Sequence, residues 1–62
     1  MEYTIKTARK AAGLTQQEMS DRLGIPKRSI ESWEGGQRKP TPWAERLIIE
    51  KLLLIAKGKG GV

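Results

Sequence analysis

The sequence predicts an all-α domain of four helices, a compact bundle with a long C-terminal fourth helix. Gly13, the step Gly24-Ile25-Pro26 and the stretch from Gly35 to Pro42 divide the chain into four segments. No segment alternates apolar and polar residues over a strand's length. At 62 residues the chain holds one small core, and with no cysteine and no histidine it has neither a disulfide nor the usual zinc ligands. Helix packing and capping must therefore supply the stability.

The first helix runs from about Thr4 to Ala12, with Ile5, Ala8 and Ala12 on one face. Thr4 is its expected N-cap, and Gly13 supplies the left-handed residue that ends it. The second helix opens on Thr15-Gln16-Gln17-Glu18, a capping box flanked by Leu14 and Met19 as a hydrophobic staple. Met19 and Leu23 face inward and Gly24 closes the helix. Only Leu23, Gly24 and Ile25 lead to the third helix, so the two helices must cross steeply. Pro26 suits the start of that helix, because its missing N–H would have no helical partner anyway.

The third helix ends near Glu34, before Gly35-Gly36, and Gln37 to Thr41 reads as a loop. Thr41 is the expected cap of the fourth helix and Pro42 its first residue. From Trp43 to Ala56 this helix is apolar over most of its circumference. Ala44, Leu47, Ile48, Leu52 and Ile55 form one broad stripe, Ile49 and Leu53 a second flank, and Trp43 and Leu54 border the polar residues. Residues 1–57 make the domain, and residues 58–62 are expected to be a flexible glycine-rich tail.

The net charge is +5 and the pI about 10.0, a balance that suits a polyanionic partner. The N-terminus carries no basic stretch followed by an apolar run, so no signal peptide is expected. The region from Trp43 to Ala56 is interrupted by Glu45, Arg46, Glu50 and Lys51, too short and too charged to span a bilayer. The expected location is the cytoplasm, with no membrane partner.

Two short helices joined by a tight glycine turn are the frame of a helix-turn-helix, in which the second helix enters the major groove of DNA. On the third helix Ile30 and Trp33 face the core with Pro26 and the edge of Ser29, leaving Lys27, Arg28, Glu31 and Ser32 on the opposite face. Arg28 is the foremost base reader, because a guanidinium bonds both acceptors of a guanine. Lys27 lies in the first turn, where such helices meet base edges. Ser32 either bonds a base or makes room for one. Glu31 has three roles open to it: orienting Arg28, accepting from a cytosine amino group, or weakening non-specific binding. Gln16 and the N–H groups around it suit a phosphate, and Arg38 and Lys39 suit the backbone on the other side. Gln17, Ser29 and Gln37 complete the candidate set.

Gly13-Leu14-Thr15-Gln16, Leu23-Gly24-Ile25, Ser29-Ile30, Trp33-Glu34, Gly36 and Arg38 to Pro40 together resemble the Cro and lambda-repressor-like helix-turn-helix family, the xenobiotic-response-element-type regulators. The resemblance covers about Ile5 to Leu47. It implies duplex DNA as ligand, commonly bound by a symmetric dimer, with Gln16, Lys27, Arg28 and Ser32 at positions that commonly touch DNA. It also implies a structural salt bridge between Arg9 and Glu34. The family usually carries a fifth helix after the fourth, and Ser or Thr where this chain has Pro26.

The expectation is a transcription regulator, a repressor of bacterial or phage type, acting by occupancy and without cofactor or metal. Its dimer would form through the fourth helix around Ile49 and Leu53. The alternative is a protein-interaction module, such as a toxin-neutralising antitoxin, that turns the same helix towards another protein. An enzyme is not expected: Ser20, Ser29 and Ser32 have no base to activate them.

Overall fold

The computed structural model describes residues 3–60. Among them lie four helices and no strand: α1 (Ile5–Ala11), α2 (Gln16–Leu23), α3 (Lys27–Glu34) and α4 (Pro42–Gly60). α1 packs along α4 and touches α3, while α2 packs on α3, so α1 joins the short helix pair to the long helix. Ala8 and Ala12 are fully buried, and their small side chains let α1 approach its neighbours closely. Around them close Ile5, Leu14, Met19, Ile30 and Leu52, one cluster drawn from all four helical regions.

Each boundary has a local cause. Thr4 caps α1 through a box in which Thr7 replaces the usual acid: Thr7 N–H donates to Thr4 Oγ1 at 3.1 Å, and Thr4 N–H to Thr7 Oγ1 at 2.8 Å. After α1, Gly13 takes φ 72°, with Gly13 N–H on the Lys10 carbonyl and Leu14 N–H on that of Arg9, which is a Schellman closure. Thr15 and Glu18 form the expected reciprocal box on α2. Gly24 then turns left-handed at φ 68°, and Ser20 Oγ donates to the Ile25 carbonyl at 2.6 Å, clamping the turn from within.

Some expectations are corrected here. Pro26 sits one residue before α3: its ψ of 133° is extended, and the ring is exposed instead of facing the core. Leu47 is more exposed than buried, whereas Ile48 and Ile55 pack against the core, as do Ile49 and Leu53 on the second flank. α4 does not stop where the glycine-rich tail was expected but continues through Gly58 to Gly60. Glycine costs a helix about 1 kcal/mol but ends it only where the backbone turns left-handed, as at Gly13 and Gly24 and not at Gly58. Gly61 and Val62, the rest of that tail, lie outside the described residues.

Candidate nucleic-acid interface

α3 divides its residues sharply. Ile30 is fully buried and Trp33 is half-buried against the core, while Lys27, Arg28 and Glu31 are exposed. Ser29 and Ser32 lie half-buried at the margin. The end of the helix brings further donors to this side. Gly36 takes φ 80°, and Gln37 and Arg38 both donate their N–H groups to the Ser32 carbonyl, at 3.0 and 3.3 Å. The chain is thereby folded back over the last turn. Arg28, Ser29, Ser32, Trp33, Gln37 and Arg38 consequently line one open cleft of about 430 Å³.

Lys39 is exposed but opens on a neighbouring cleft, with Thr4, Lys6, Glu34 and Pro40 among its walls. At the start of α2, the capping box occupies the N–H groups of Thr15 and Glu18. The N–H groups of Gln16 and Gln17 lie between them in the first turn, where no helical carbonyl is within reach. Gln17 is exposed and its amide donates to Asp21 at 3.1 Å.

Three helices meet at one carboxylate beneath this surface. Arg9 of α1 grips Glu34 of α3 in a fork, Nε to Oε2 at 2.7 Å and Nη2 to Oε1 at 3.0 Å. The remaining arm of Arg9 donates to the Leu14 carbonyl at 2.8 Å, holding the α1–α2 turn. Gln16 Nε2 adds a bond to Glu34 Oε1 at 3.1 Å. The pair is largely shielded, with side-chain exposures of 12% for Arg9 and 6% for Glu34. Burial alone would push the Glu34 carboxyl up. The hydrogen bonds from Arg9 and Gln16, with the charges of Arg9 and Lys6, outweigh burial and hold it below its ordinary value of 4.5.

The expected Arg9–Glu34 pair is therefore present, and Gln16 is tethered to it. That tether and the Ser20 clamp had no local sequence signal, because each depends on how α2 and α3 cross.

A family model described as Helix-turn-helix matches residues 5–42, more than half of the chain. The chain belongs to this helix-turn-helix family. Neither the curated proteins nor the solved structures contain a match. The matched span runs from the first residue of α1 to the first residue of α4, and so contains every candidate DNA-facing residue. As a family member the protein is a DNA-binding transcription regulator, and its ligand is double-stranded DNA. Among the described residues no helix is long and apolar enough to cross a membrane.

Proposed function

We propose that this regulator is a repressor of the Cro and lambda-repressor-like type, which occupies an operator and reads it with the outer face of α3. The observation that carries this reading is the division of α3, with Ile30 fully buried behind an outer face of Lys27, Arg28 and Glu31. Arg28 is the principal base reader, and Lys27 and Ser32 lie beside it. Gln37, Arg38 and Lys39 hold the backbone on one side. Gln16 and the first-turn N–H groups of α2 hold it on the other. The tether from Glu34 leaves the Gln16 amide a second N–H to offer to a phosphate. Two copies on an inverted repeat would set their α3 helices about 34 Å apart, one helical turn of DNA.

Selection from a random duplex library tests this, followed by titration of the enriched sequence at two salt concentrations. Arg28→Ala should cost about 1–3 kcal/mol on the selected site and relax one base position. Lys39→Ala should weaken binding to all sequences and lower the salt slope by about one. If nothing enriches, or both variants behave alike on selected and random DNA, the assignment of α3 fails.

A second reading, a protein-interaction module acting through α4, has one observation in its favour, the exposure of Trp43, Leu47 and Leu54.

A further inference from the structure

α3 carries two acids on a helix that faces a polyanion. Lys27 and Arg28 balance Glu31 and Glu34 in formal charge. Glu34 is taken up beneath the surface, in the fork of Arg9 and the bond from Gln16. Glu31 has no such partner. It is exposed, and among the described residues its side chain makes no hydrogen bond and no ion pair.

Its place on the helix is central. At about 100° per residue, Glu31 falls between Lys27 and Arg28 around the axis, on the side away from Ile30 and Trp33. Whatever lies against this face meets the carboxylate. Lys27 stands four residues before it and Arg28 three, both within reach along a helix, yet neither is paired with it. Orienting Arg28 therefore has no contact to act through. The cleft that gathers Arg28, Ser29, Ser32, Gln37 and Arg38 contains no acid, and Glu31 stands outside it, across Arg28.

A carboxylate only accepts hydrogen bonds. In the major groove guanine shows two acceptors and thymine one, while adenine sets an acceptor beside its donor. Cytosine alone shows a donor and no acceptor. We infer that Glu31 sets a base preference beside Arg28, accepting from the amino group of a cytosine and opposing every other base. The inference rests on the reading of α3 proposed above. Side chains three residues apart on a helix stand about 5–6 Å apart, between one and two base-pair steps of about 3.4 Å. The cytosine therefore belongs to the pair whose guanine Arg28 reads, or to one within two steps of it. Away from such a site the same charge repels phosphates, so Glu31 separates the operator from random DNA on both counts.

The test is selection from a random duplex library with the unaltered protein, Glu31→Ala, Glu31→Gln and Arg28→Ala. Each is then titrated on the unaltered protein's site and on random DNA. The unaltered protein should enrich a cytosine within two steps of a guanine. In Glu31→Ala, discrimination for that cytosine should fall about tenfold, and random DNA should bind more tightly. Glu31→Gln should turn the preference to adenine, because an amide bonds both N6 and N7 of that base. Circular dichroism should stay unchanged, the position being exposed.

Either Glu31 variant keeping the cytosine preference undiminished would overturn the inference. So would variants that raise affinity for selected and random DNA by one common factor, since the acid would then be a charge penalty alone. Arg28→Ala keeps the two readings apart. If it relaxes a guanine while neither Glu31 variant relaxes any base, only the assignment of Glu31 falls. If no variant relaxes any base, or the library enriches nothing, the reading of α3 falls and this inference with it.

Discussion

α3 and α4 each bury one face, and they differ in what the other face carries. Behind Ile30 and Trp33, α3 presents Lys27, Arg28 and Glu31, all exposed. Behind Leu52, α4 presents Trp43, Leu47 and Leu54. A domain of this size needs one apolar face from each helix, and α3 stops there. The outer face of α4 thus keeps apolar side chains that the core does not use. The charged outer face of α3 suits base edges and phosphates. Within one small bundle, the inner faces build the fold and the outer faces differ in chemistry.

The sharpest way to break this comparison is to cut back one leucine on each side of α4. Leu52→Ala should cost about 3 kcal/mol, since a fully buried side chain leaves a cavity as well as losing its transfer energy. Against a total near 5 kcal/mol for a small domain, that would unfold a visible fraction of the protein. Leu54→Ala should stay within about 0.5 kcal/mol when measured in dilute solution. Urea denaturation of both variants decides the matter, and equal losses would mean that the outer face is part of the core.

Next in size is the junction at Glu34. Arg9→Ala leaves a shielded carboxylate with Gln16 alone, and should cost about 2–3 kcal/mol at neutral pH, below the full figure for a completely buried pair. The pH dependence has a definite sign. Glu34 is held below its ordinary value of 4.5 in the folded protein, so its contribution is fully present above that pH. The contribution disappears as pH falls through the depressed folded value, where the protonated carboxyl no longer needs the guanidinium. Urea denaturation at pH 7 and at successively lower pH should therefore show the gap between variant and unaltered protein closing in acid. A gap that stays constant with pH would remove Glu34 as the partner that matters.

Local chemistry made much of this fold legible. The two capping positions, Thr4 and Thr15, and the left-handed Gly13 and Gly24 stand where residue type alone put them. The outward Lys27, Arg28 and Glu31 follow from helical spacing against Ile30. The Arg9–Glu34 pair spans 25 residues and came from family resemblance, because no spacing rule reaches that far. α4 was harder to read. Its apolar residues run nearly all the way round, so periodicity could not say which stripe turned inward, and Leu47 was assigned to the core. The flexible tail expected over residues 58–62 differs from the helix seen through Gly60, because a glycine that keeps a right-handed backbone only weakens a helix. Pairings set by the crossing of α2 and α3, such as Gln16 with Glu34, have no signature along the chain.

The smallest expected effect connects capping to DNA. Thr15 Oγ1 accepts from the Glu18 N–H at 3.0 Å, and Glu18 Oε1 accepts from the Thr15 N–H at 2.8 Å. Thr15→Ala removes the first bond and should cost about 1 kcal/mol, while Thr15→Ser keeps it and should cost little. The cap also fixes the first turn of α2, which carries Gln16 and its neighbouring N–H groups. Fraying there should lower half-site affinity along with stability. Denaturation and half-site titration of the same two variants would separate these effects. Should stability fall in Thr15→Ala while half-site affinity holds, the start of α2 is a structural cap and not a phosphate clamp. The DNA grip would then rest on α3 and on the loop that folds back over it.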